Sequence, residues 1–182
     1  MALSMTNLVS NSGVIATDVT GVGTARDQLA ACEYGDDKAI FGYGNVSGTL
    51  KSMTNLVSNV GVVATDVSGV GTARSALAAC TYAYDKGIFA YGSNSGDDPT
   101  SAVSMSNLVS NVGVVATDVT GVGTARYEVV GTQYDGDKGI FGYGNTGSVT
   151  NLSNLVNNSG VIASDVTGVG TARNRAAACS YG

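Results

Sequence analysis

A block of about 47 residues is written four times along this 182-residue chain, and nothing else in the sequence restricts its fold so strongly. Ser-Met-Thr-Asn-Leu-Val-Ser-Asn opens the first copy at Ser4, and near-copies begin at Ser52, Ser104 and Asn151. An aspartate recurs at Asp18, Asp66, Asp118 and Asp165, and an arginine at Arg26, Arg74, Arg126 and Arg173. Both series step by 48, 52 and 47 residues. A period of this length means one supersecondary unit that buries its apolar face against its neighbours, stacked or arranged radially. Residues 1–182 therefore read as one domain, with repeats at about 4–51, 52–103, 104–150 and 151–182. A catalytic site in such a chain has to break the repetition somewhere.

Within a repeat the pattern is that of short strands. Thr-Asn-Leu-Val-Ser-Asn and Val-Val-Ala-Thr-Asp-Val alternate over a few residues, joined by Asn-Val-Gly or Asn-Ser-Gly, a hairpin signal. Gly13, Gly61, Gly113 and Gly160 would supply the positive φ of that turn. A Gly-Val-Gly-Thr-Ala-Arg connection follows, then a small-residue strand (29–34, 77–82, 129–134 and 176–181), then Lys-x-Ile-Phe-x-Tyr-Gly, as in Lys38 to Gly44. No window carries a sustained 3.6-residue apolar period, which predicts no helix anywhere. Four strands per repeat predict an all-β fold, a four-bladed β-propeller with one blade incomplete or closed by the terminal strands. Ala30-Ala31, Ala78-Ala79 and Ala177-Ala178 suit a crowded axis.

Arginine, a small apolar strand, Lys-x-Ile-Phe-x-Tyr-Gly and then a Gly/Ser loop and hairpin resemble the kelch-like blade, with Gly-Tyr-Gly in place of the paired glycines and no blade tryptophan. The whole repeat is also similar to a family of repeat proteins frequent in phage and environmental sequence, whose signature is Asp-Lys-x-Ile-Phe-Gly-Tyr-Gly with Gly-Val-Gly-Thr-Ala-Arg. That resemblance implies a propeller and an extracellular or virion-associated setting, and no particular activity.

Composition narrows the chemistry. Charged residues make up 13% of the chain and the net charge is −5 with no basic cluster, which argues against nucleic acid or an anionic membrane as partner. There is no histidine, the usual acid–base residue near neutral pH, and no tryptophan for sugar stacking. No apolar run approaches the roughly 18 residues that a membrane span requires. The start, Met1-Ala2-Leu3-Ser4, shows no signal peptide. Cys32, Cys80 and Cys179 share one repeat position, with Thr132 in the other copy. Three thiols about an axis could hold a soft metal, but a small buried residue in an alanine-rich strand explains them better, and no disulfide framework follows from the odd count. Asp135-Gly136-Asp137 and Asp97-Asp98 lack calcium-loop spacing and read as turns. The Gly-Val-Gly loop lacks the third glycine of a dinucleotide fingerprint. Asn45, Asn151 and Asn157 begin glycosylation sequons of the kind that chance produces in a chain so rich in Asn and Ser. No metal, no cofactor and no catalytic residue are expected.

The Asp and Arg series, Asp18/Arg26, Asp66/Arg74, Asp118/Arg126 and Asp165/Arg173, are expected to form a repeated brace between units or across a loop, the alternative being a functional ring of charge. The distance from the Asn of Thr/Ser-Asn-Leu-Val to this Arg is 19 residues in every copy. Length varies only between Tyr-Gly and the next hairpin: 11, 15 and 10 residues after Gly44, Gly92 and Gly144. The longest of these loops carries Asp97-Asp98-Pro99. Identity varies just after the Arg, at Asp27-Gln28, Ser75-Ala76, Tyr127-Glu128 and Asn174-Arg175. Both places are expected on one face, which makes Asp27, Gln28, Ser75, Asp97, Asp98, Tyr127, Glu128, Asn174 and Arg175 the candidate contact residues.

One strand is short in number. Lys-x-Ile-Phe-x-Tyr-Gly occurs three times, and the other strand types four times. Pairing the terminal segments in one blade would leave its second position empty and its neighbours' backbone edges unpaired, a template for β-augmentation. The expectation is a non-enzymatic structural protein that self-assembles into a filament or fibre. The alternative is a binding module with glycan or protein ligands on the variable face.

Overall fold

A computed structural model of the chain describes residues 2–96 and 98–180, and these form an all-β protein of four small antiparallel sheets. The strands are β1 (Ala30–Tyr34), β2 (Lys38–Gly42), β3 (Asn45–Val46), β4 (Thr49–Leu50), β5 (Thr54–Val57), β6 (Ala78–Tyr82), β7 (Lys86–Ala90), β8 (Ser106–Val109), β9 (Val130–Tyr134), β10 (Lys138–Gly142) and β11 (Ser153–Val156). Three sheets repeat one design, in the order β1-β2-β5, β6-β7-β8 and β9-β10-β11. Their registers correspond: Cys32 pairs with Ile40 and Ile40 with Leu56, Cys80 with Ile88 and Ile88 with Leu108, Thr132 with Ile140 and Ile140 with Leu155. A fourth extended segment joins each sheet through isolated bridges, Thr54 to Val67 and Val57 to Val63 in the first. The small fourth sheet, β3-β4, sits in the loop after Gly44.

Local chemistry accounts for the turns. In the hairpins Gly61 adopts φ 78° while its N–H donates to Ser58 O, and the other three turn glycines lie at 77–80°. The β1–β2, β6–β7 and β9–β10 turns each place two successive residues in the left-handed region, Gly35-Asp36, Ala83-Tyr84 and Asp135-Gly136. These two-residue turns match strand twist, and the middle one is held against the preference of Ala83 and Tyr84.

The apolar core lies between sheets. Tyr34, Ile40 and Tyr43 of the first meet Leu77, Ala79, Phe89 and Val109 of the second. Tyr82, Ile88 and Tyr91 of the second meet Val129, Phe141, Val156 and Ile162 of the third. The aromatic pairs Tyr43–Phe89 (5.2 Å between ring centroids) and Tyr91–Phe141 (5.6 Å) are edge-on. Glycines make the notches. A Cβ on Gly42 would stand 2.7 Å from the Phe89 ring, and one on Gly87 or Gly139 would stand 2.5 Å from Cys32 Sγ or Cys80 Sγ.

Two expectations are corrected. A short 3₁₀-helix, Pro99–Ser101, occupies the longest loop. Proline at its first position and Asp98, whose carboxylate accepts from Thr100 N–H, suffice for one turn without an apolar period. The alanine-rich strand expected at 176–181 is not a strand over its described residues 176–180, which are mostly exposed, and Tyr181 lies outside the described residues. Among the described residues the segment has no second strand beside it to complete its backbone hydrogen bonds. The hairpin of the first copy likewise belongs to none of the four sheets among the described residues, its two arms bridged at Thr6–Val19 and Val9–Ile15, while β1 and β2 of that copy pair with β5 of the second.

Candidate functional site

The recurrent polar cluster is built from four positions per repeat, and it spans consecutive repeats. Thr24, in the connection leaving the first hairpin, donates its N–H to both Asp66 oxygens (3.2 and 3.0 Å) and its hydroxyl to Oδ2 (2.7 Å). Asn55 Nδ2 donates to Asp66 Oδ1 (2.8 Å) and to Ala64 O (3.1 Å), while its Oδ1 accepts from Arg26 Nη2 (2.6 Å). Thr72–Asp118–Asn107–Arg74 and Thr124–Asp165–Asn154–Arg126 repeat the arrangement. Each arginine thus faces the aspartate of the following repeat (Nη1 to Oδ1 3.5, 4.0 and 3.7 Å), not the one eight residues before it. The consequence falls at the ends: Asp18 and Arg173 have no such partner among the described residues.

Arg74 and Arg126 are buried and fully committed. Arg74 Nε donates to Tyr91 O (2.9 Å) and Nη1 to Thr72 O (3.3 Å), with the guanidinium 4.2 Å from the Tyr43 ring centroid. Arg126 does the same with Tyr143 O, Thr124 O and the Tyr91 ring. Among the described residues Arg26 has no tyrosine beneath it, and its buried Nε and Nη1 have no hydrogen-bond partner, next to a cleft lined by Leu3, Leu29 and Phe41. The Asn hub was not singled out from sequence as a functional residue. Its signal was there, in the constant 19-residue spacing to the Arg.

Burial pushes the Asp66, Asp118 and Asp165 carboxyls upward, but hydrogen bonds from Thr and Asn outweigh it and hold all three below the ordinary carboxylate value. A depressed folded-state value contributes stability that is complete above the unfolded value, about 3.9, and is lost as pH falls through the lower folded one. Wild-type stability is therefore expected to decline below about pH 4. The decline should be shallower in Asp118→Asn, measured by urea unfolding across the acid range, and equal slopes would refute the role.

The variable positions divide in two. Ser75 and Tyr127 are buried, Ser75 completely, so they are removed from the candidate contact surface, although Asp27 makes the same backbone bridge, to Asn45, as they make to Ser93 and Asn145. Asp27 is exposed. Gln28, Ala76, Glu128 and Arg175 line one cleft together with Leu29, Leu77 and Val129. All four are left-handed (φ 51–55°), and they are linked in succession: Ala76 N–H donates to Gln28 O, Glu128 N–H to Ala76 O and Arg175 N–H to Glu128 O. Arg175 Nε (2.6 Å) and Asn174 Nδ2 (2.5 Å) donate to the Glu128 carboxylate. Asp98 caps the 3₁₀-turn, and Asp97 lies outside the described residues. The mouth of this cleft offers hydrogen-bonding groups around an apolar floor.

Among the described residues no three His, Cys, Asp or Glu side chains group as metal ligands. Cys32 and Cys80 turn between sheets onto Gly87 and Gly139, and burial pushes the Cys32 thiol up to about 12 and the Cys80 thiol upward as well. Only Cys179 is exposed. A thiol reagent is expected to modify Cys179 fast, half-buried Cys32 more slowly, and buried Cys80 only as the protein unfolds. Three equal rates would contradict this packing.

No family model matches the sequence, and no curated protein matches it. Among solved structures the fold is similar to that of YjhT, with a TM-score of 0.62 at 12% sequence identity. The likeness covers 88% of this chain and 50% of that one, so the chain spans about half the length of the structure it matches. At this identity the likeness is one of fold alone. No helix among the described residues is long and apolar enough to cross a membrane.

Proposed function

We propose that the chain is a non-enzymatic structural subunit that assembles with copies of itself, its sheets being kelch-like blades of about 47 residues in a four-bladed β-propeller plan with one blade incomplete. The setting that goes with this reading is an extracellular filament or a virion-associated fibre. One observation carries it. Val9 is 64% exposed, whereas Val109 and Val156 at the same repeat position are fully buried. Ile15 is 68% exposed against 6% for Ile162. Apolar side chains that the third and fourth repeats bury stand in solvent on the first hairpin, as at an interface awaiting its partner. The polar groups that might have served chemistry are meanwhile engaged in repeated contacts.

Sedimentation velocity across a dilution series tests the proposal. Concentration-dependent species larger than an 18.2 kDa chain are expected. A single monomeric boundary at every concentration would overturn it. A second reading, a carbohydrate-binding module, draws on the Gln28, Glu128 and Arg175 mouth. Binding on a glycan array, abolished by Glu128→Ala, is its expected result, and an array without signal would remove it.

A further inference from the structure

Resting on that reading of self-assembly, we infer that copies join head to tail, the first hairpin (6–19) of one seating on the last sheet, β9-β10-β11, of another. The chain displays this contact twice internally. The hairpin ending each sheet lays its two valines, or Val and Ile, onto the Tyr, Ile and Leu of the sheet before it: Val109 and Val115 on Tyr34, Ile40 and Leu56, then Val156 and Ile162 on Tyr82, Ile88 and Leu108. Its turn glycine admits the same neighbours, since a Cβ on Gly113 would meet Leu56 and Tyr34, and one on Gly160 Leu108 and Tyr82.

Both halves of one further contact are open. On the first hairpin Val9 and Ile15 are exposed and nothing lies within 4 Å of a Cβ built on Gly13. On the last sheet Tyr134, Ile140 and Leu155 line an open cleft, although Ile40 and Ile88 at the same repeat position are wholly buried. The polar groups match in the same sense. Asp18 and Asn7 hydrogen-bond each other but lack the Thr and Arg that their counterparts hold, and Gly170, Thr171 and Arg173 lack the Asp and Asn that theirs hold. Arg173 already lies over the Tyr143 ring, 4.1 Å from its centroid, as Arg74 lies over Tyr43. In the joined pair Thr171 and Arg173 of one copy meet Asp18 and Asn7 of the next, with opposite charge meeting opposite charge. Such a contact uses two different surfaces, so it builds a ring if the rotation closes and a helical filament if it does not.

The test uses Asp18→Arg and Arg173→Asp, both at exposed positions, studied by sedimentation alone and in equimolar mixture. Each variant alone should associate at least about thirtyfold more weakly than wild type, the scale for disrupting a desolvated charge pair. The mixture should recover association, because the intact hairpin of one variant meets the intact sheet of the other and the two substituted ends again bring opposite charges together. This rescue also shows that both variants are folded. Wild-type assembly that persists in both variants would overturn the head-to-tail contact and leave self-assembly standing. Variants that stay monomeric when mixed would overturn it as well. A monomeric wild type would remove both.

Discussion

Arg74→Met is expected to lower the stability of the folded chain by about 3–5 kcal/mol, the cost of removing one partner from a buried charged network. Methionine replaces the apolar stem but leaves Tyr91 O, Thr72 O and Asn107 Oδ1 without the donors that satisfy them, and it withdraws the cation from the Tyr43 face and from Asp118. Against a total of about 5–15 kcal/mol this is a large fraction. The chain holds its own control. Arg173 occupies the same repeat position but is exposed, with contacts only to Tyr143, so Arg173→Met should cost about 1 kcal/mol or less. Urea unfolding measures both, the m-value reporting whether the denatured state changes too. Equal losses would show that the arginines act through propensity or net charge, not through the buried network.

Phe89→Ala should cost a similar amount, about 3–5 kcal/mol. The Phe89 ring is wholly buried between the first two sheets, edge-on to Tyr43 and seated in the notch of Gly42. Close backbone on one side and Tyr43 on the other leave little room for collapse, so most of the cavity should persist. Phe41 stands at the same repeat position but lines the open cleft beside Arg26 and is only partly buried. Phe41→Ala therefore removes less transferred area, makes no closed cavity and should cost well under half as much. A Phe41 effect as large as that of Phe89 would mean that the cleft is closed in solution.

Much of the fold could be read from the chain because its determinants are local. Alternating Thr-Asn-Leu-Val, a turn glycine at positive φ and a return through Val-Val-Ala-Thr make a hairpin wherever they occur, and four copies repeat the signal. The site was less legible. Spacing alone leaves open whether the brace closes a loop, Arg74 on Asp66, or joins units, and the connection carries the Arg across to Asp118. Ser75 and Tyr127 occupy the same repeat position as exposed Asp27 and make the same backbone bridge, yet they are buried, which no local pattern announces. Ala83 and Tyr84 take left-handed conformations that their side chains disfavour, because strand pairing on both sides imposes the turn.

Repetition within the sequence settled the all-β character, the unit length and the positions of the strands and hairpins other than the strand expected at 176–181, since these depend on propensity, side-chain period and turn chemistry over ten residues or fewer. Only the tertiary structure decided which repeat each Arg serves, which variable residues are buried and which apolar faces remain open. Those outcomes depend on how one sheet stacks on the next. In a repeated sequence every copy offers the same partner, and neighbouring sheets alone select which copy is within reach.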